Sequence, residues 1–88
     1  MKTINKPGYH LNTIPKGSIG DSSKILEELL ELQDAEAQGA KVMALVELSD
    51  LIGAVDHYLR KNYPAITLSD LVIMSAITER AFRNGRRT

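Results

Sequence analysis

The 88-residue chain carries two short acidic clusters, Glu27-Glu28-Leu29-Leu30-Glu31 and Glu47-Leu48-Ser49-Asp50, with fifteen residues between them. On a helix, residues three apart share a face and stand about 4.5 Å apart along the axis. Glu28 with Glu31, and Glu47 with Asp50, are therefore same-face pairs. Gly39 lies midway: Glu31 and Glu47 are each eight residues from it, and Glu28 and Asp50 each eleven. Two helices that turn back on each other at Gly39 bring each acid level with an acid on the other helix, which makes a four-carboxylate box. Unit charges about 4 Å apart repel by about 4 kcal/mol at an effective dielectric near 20, so such a box keeps protons or holds a cation. Carboxylate oxygens without sulfur or imidazole suit Mg²⁺ or Mn²⁺. Glu47 sits beside Leu51 on a helical wheel, and Glu28 beside Ile25 and Leu32, so both border the apolar arc. The plain alternative is a solvated acidic stripe.

The elements that must carry these acids are helical. Residues 1–20 hold Pro7, Gly8, Pro15, Gly17 and Gly20 with no helical or strand period, which reads as an irregular N-terminal arm. Ser18, three before Asp21, makes a weak capping box ahead of an apolar-periodic run of Ile25, Leu29 and Leu32, widened by Leu26 and Leu30. Gly39 should stop this first helix in a left-handed cap. A second helix is expected from about Lys41 to Asn62, with Leu45, Leu48, Ile52, Val55 and Leu59 on its stripe, and Pro64 forbids its continuation. Thr67, three before Asp70, starts a third helix with Leu71, Ser75, Thr78 and Phe82 on one face and Gly85 as its stop. The expected fold is all-α: an antiparallel helical hairpin plus a third helix, assembling into an oligomeric helical bundle, with the arm over 1–20 and one domain over 21–88.

Composition narrows the function classes. Lys plus Arg equal Asp plus Glu at 11 each, and the chain has no cysteine. Zero net charge disfavours nucleic-acid coating or an anionic membrane as partner, and the missing thiol excludes a disulfide framework, a thiolate zinc site and a thiol nucleophile. No apolar run spans a bilayer and Met1–Gly20 does not read as a signal peptide, so a soluble cytoplasmic protein is expected. The neutrality is an average: residues 1–20 carry +3, 21–56 carry −7 and 57–88 carry +4. An acidic centre between basic ends is a place where metal and phosphate can meet. His10 and His57 have no partner at metal-ligand spacing, and Gly17-Ser18-Ile19-Gly20 lacks the spacing of a P-loop.

The paired motifs, Glu27-Glu28-x-x-Glu31 and Glu47-x-x-Asp50, resemble those of the MazG-like nucleoside triphosphate pyrophosphohydrolases of the all-α NTP pyrophosphatase superfamily, over roughly Ser22 to Gly85. The resemblance implies Mg²⁺-dependent hydrolysis of a (deoxy)nucleoside triphosphate to the monophosphate and pyrophosphate. It implies Glu28, Glu31, Glu47 and Asp50 as metal ligands, and Glu27 as an auxiliary acid that binds a second metal or orients the water. The arm has no counterpart in the resemblance. Charge on the leaving pyrophosphate has to be met by Lys or Arg. Lys61, which continues the acid face of the second helix, and Arg80 and Arg83 are the candidates; Tyr58, at the edge of that face, is the candidate to stack on a base, with core packing as its alternative.

A domain this small buries little of its own surface, and the second helix is apolar over a broad arc, with Ser49 and Gly53 small and four apart on another side. A homodimer or a dimer of dimers with that helix at the interface is expected. Two other readings stand beside the first: a related all-α dUTP, dCTP or phosphoribosyl-ATP pyrophosphohydrolase, and a non-catalytic helical dimerisation module. Base and sugar preference is not legible.

Overall fold

Turn chemistry divides the chain into three helices, α1 (Ser22–Ala37), α2 (Lys41–Asn62) and α3 (Leu68–Arg83), in a computed structural model that describes residues 10–83. Among the described residues there is no strand, and the fold is all-α. The expected stop at Gly85 lies outside the described residues.

α1 ends as its glycine requires. Gly39 has φ +70°, its N–H donates to Glu36 O at 3.0 Å, and Ala40 N–H reaches back to Ala35 O at 3.1 Å. These two bonds form a Schellman motif, which satisfies carbonyls at the helix end and turns the chain toward α2. The start of α1 differs from expectation. Asp21 occupies the N-cap but makes no side-chain cap bond; its carboxylate pairs with Lys61 Nζ at 2.6 Å. Ser18 contributes its carbonyl to a turn, accepting from Asp21 N–H at 2.9 Å. A 40-residue contact outcompetes the local cap here. α3 opens on a reciprocal box: Thr67 N–H donates to Asp70 Oδ2 at 2.9 Å and Asp70 N–H to Thr67 Oγ1 at 3.1 Å.

α1 packs along α2, and the start of α1 lies beside the end of α2. Asn62 Nδ2 donates to Gly20 O at 3.0 Å, next to the Lys61–Asp21 pair. The interior between them reverses the expected pattern. Among the described residues the buried apolar side chains are Ile14, Ala35, Ala54 and Leu59, whereas Glu27, Glu28, Glu31, Asp34 and Glu47 are all buried. Of the stripe residues, Leu29 on α1 and Leu45, Leu48 and Ile52 on α2 are exposed, whereas Leu59 is buried. α3 has no buried residue, and Val72, Ile73, Met74, Ile77 and Phe82 all face outward. Ile25, Leu32 and Val55 of the stripes are half-buried, so the stripes run from the packed face to the outside of the chain.

Candidate metal centre

Helical spacing puts Glu28 and Glu31 on one face of α1 and Glu47 and Asp50 on one face of α2, and packing of the helices turns those faces toward each other. One oxygen from each of the four carboxylates lies within 4.8 Å of the others. Glu28, Glu31 and Glu47 are buried, Glu47 completely, and Asp50 is half-buried. These are the four acids that the spacing around Gly39 brings level. An ion that holds oxygens at about 2.1 Å has opposite ligands about 4.2 Å apart, so the four oxygens could hold a metal ion. The donor set is all hard oxygen, which suits Mg²⁺, Mn²⁺ and Ca²⁺ alike.

The other acids of the buried α1 face have different work. Asp34 accepts the N–H groups of Leu11 at 2.8 Å and Asn12 at 2.9 Å, and the amide of Gln38 at 2.7 Å. Burial pushes its carboxyl upward, but these donors and nearby His10 outweigh it and hold the group below its ordinary value. Glu27 accepts Gly17 N–H at 2.9 Å and Lys24 Nζ at 3.1 Å. It too is lowered, because those donors and the charges of Lys24 and Lys16 overcome its burial. Glu27 thus lies outside the four-acid cluster and joins Asp34 in holding the arm.

Residues 10–21 run along α1 through these bonds, with Ile14 buried beneath them. A Cβ on Gly17 would overlap the Ser23 carbonyl oxygen, which is why the chain can lie this close to the start of α1 only with glycine there. His10 is enclosed at the far end, its Nδ1 3.5 Å from Asp34 Oδ1 and its Nε2 3.9 Å from Glu31 Oε2. Lys24 Nζ bridges Glu27 and Glu28, at 3.1 and 3.2 Å. Burial draws its pKa down, and the bonds to the two glutamates raise it above the ordinary lysine value.

The residues expected to meet substrate stand elsewhere. Lys61 is eleven residues beyond Asp50 on α2, about 16 Å along the axis, and pairs with Asp21. Arg83 pairs with Glu79 at 2.6 Å on the exposed side of α3, and Arg80 is exposed on the same helix. Tyr58 is half-buried and tilts against Tyr63, with ring centroids 6.2 Å apart. Lys24, Asp34 and His10 were missed by the reading of the sequence. The signal for the first two was present: Lys24 is one turn before Glu28, and Asp34 continues the Glu27–Glu31 face by three residues. Comparison with protein-family models, curated proteins and solved structures found no match to this chain.

Proposed function

We propose that the chain is a divalent-metal-dependent nucleoside triphosphate pyrophosphohydrolase whose α1 and α2 form an antiparallel hairpin around the metal site. The observation that carries this reading is the convergence of four carboxylates from two helices on one largely buried point. Buried carboxylates that face one another are costly without compensating charge, and Glu28, Glu31, Glu47 and Asp50 would supply a divalent ion with oxygen ligands. When bound, the ion supplies phosphoryl polarisation and activation of a water. The reaction forms a bond from the water oxygen to the α-phosphorus and breaks the bond to the α–β bridging oxygen, giving monophosphate and pyrophosphate. The chain's own residues orient the reactants and neutralise charge on the departing group. Arg80 and Arg83, exposed on α3, are the cations proposed for that from a neighbouring copy, and Tyr58 is proposed to stack on a base; Lys61, about 16 Å along α2 from Asp50 and paired with Asp21, would also have to act on a neighbour's site.

The same reading includes self-assembly as a homodimer or a dimer of dimers. The outward apolar faces of α2 and α3 are the surface to be covered, and a copy that covers them can carry its Arg80 and Arg83 to a neighbour's site. A non-catalytic dimerisation module accounts for those faces equally well, and with bound metal it accounts for the four converging acids too; turnover of a triphosphate is what separates the two readings.

Thermal melting with and without MnCl₂ tests the metal. The wild type is expected to melt higher with Mn²⁺, since a ligand of the folded state stabilises it by mass action. Equal melting temperatures at millimolar Mn²⁺ would count against the proposal.

A further inference from the structure

Lys24 stands at the junction of the two kinds of acid on α1. Its ammonium donates to Glu27 Oε1 at 3.1 Å and lies 3.2 Å from Glu28 Oε2. The two carboxylates differ in their other company. Glu27 Oε1 also accepts Gly17 N–H, so it keeps a donor if the lysine leaves. Glu28 belongs to the four-acid cluster, where a divalent ion would share its carboxylate. An ammonium and a divalent ion on one carboxylate repel each other, and an anion placed between them turns that repulsion into two attractions. The Lys24 side chain is 23% exposed and its four-carbon stem is flexible, so its ammonium can exchange Glu28 for an anion that arrives from solvent.

We propose that Lys24 couples metal and polyphosphate binding: it opposes a bare divalent ion at Glu28, and contacts the phosphate oxygens once ion and anion are bound together. The proposal rests on the metal reading of the four acids, and it assigns a phosphate contact to α1 itself. The test is titration of Mn²⁺, followed by electron paramagnetic resonance, into the wild type, Lys24→Met and Lys24→Arg. Each is titrated alone and with imidodiphosphate, with the free Mn²⁺–imidodiphosphate complex accounted for. Lys24→Met is expected to bind bare Mn²⁺ more tightly than the wild type, and Mn²⁺–imidodiphosphate about tenfold more weakly. Lys24→Arg, which keeps the charge, is expected to keep the wild-type pattern. Loss of a merely structural ion pair can free Glu28 for the bare ion, but it does not at the same time weaken binding of the metal–imidodiphosphate complex. Equal affinities in wild type and Lys24→Met, or a parallel loss of both, would overturn the proposal. Should Lys24→Met not fold, the wild type still decides: imidodiphosphate must tighten Mn²⁺ binding, and independent binding overturns the coupling. A wild type that binds no Mn²⁺ removes the metal reading itself, a result distinct from metal binding without coupling.

Discussion

Glu47 is completely enclosed, with one carboxylate oxygen in the four-acid cluster. Glu47→Gln keeps the shape and removes a carboxylate of that cluster; the variant is expected to lose most of the rise in melting temperature that Mn²⁺ gives the wild type. Differential scanning calorimetry reads the effect, and a variant that responds normally to Mn²⁺ would count against the metal site. Asp34 has different work. Its carboxylate is held by backbone donors of the arm and lies below its ordinary pKa, as does that of Glu27. A depressed folded-state pKa gives stability that is full above the unfolded value, about pH 4, and lost as pH falls through the folded value. Amide exchange at Leu11 and Asn12 should thus accelerate, beyond its intrinsic pH dependence, as pH drops below about 4. Asp34→Asn should cost about 1–3 kcal/mol at neutral pH and flatten that acid dependence.

The turn at Gly39 and the start of α3 at Thr67 were legible because their chemistry is local: a glycine in the left-handed region and a threonine three residues before an acid. The four-acid cluster was legible for a related reason, since helical spacing and equal distances from one turn set its register. The arm was not. Its backbone N–H groups find Asp34 22–23 residues away, and no local pattern names such a partner. Which stripe residues the chain itself buries, such as Leu59, and which it exposes, such as Leu45 and Ile52, is not legible, because periodicity gives the width of a face and not what covers it. At this scale the turn can be tested directly. A Cβ at Gly39 meets nothing within 4 Å, so Gly39→Ala costs only the backbone strain of positive φ, about 1–2 kcal/mol, and Gly39→Asn less. Urea denaturation checks the order; equal stability of all three proteins would mean that the turn relaxes out of the left-handed conformation.

Among the described residues five acids are buried and many leucine, isoleucine and valine side chains are exposed, with Ile14 and Leu59 the large apolar side chains inside. The proposed second copy against α2 would cover part of that exposed apolar surface. A Cβ at Gly53 meets nothing within 4 Å in the chain itself, so a Gly53→Leu protomer keeps its own packing and reports on a neighbour. Light scattering at micromolar concentration is expected to give a dimer or larger for the wild type and a smaller mass for Gly53→Leu. A monomeric wild type would contradict the assembly. The activity proposed for the four-acid cluster depends on Glu47. Its most direct test is pyrophosphate release from a panel of ribo- and deoxyribonucleoside triphosphates in Mg²⁺, with wild type and Glu47→Gln side by side. Release from at least one triphosphate by the wild type and its loss in Glu47→Gln are expected; no release from any of them, or equal release by both proteins, would overturn the proposed activity.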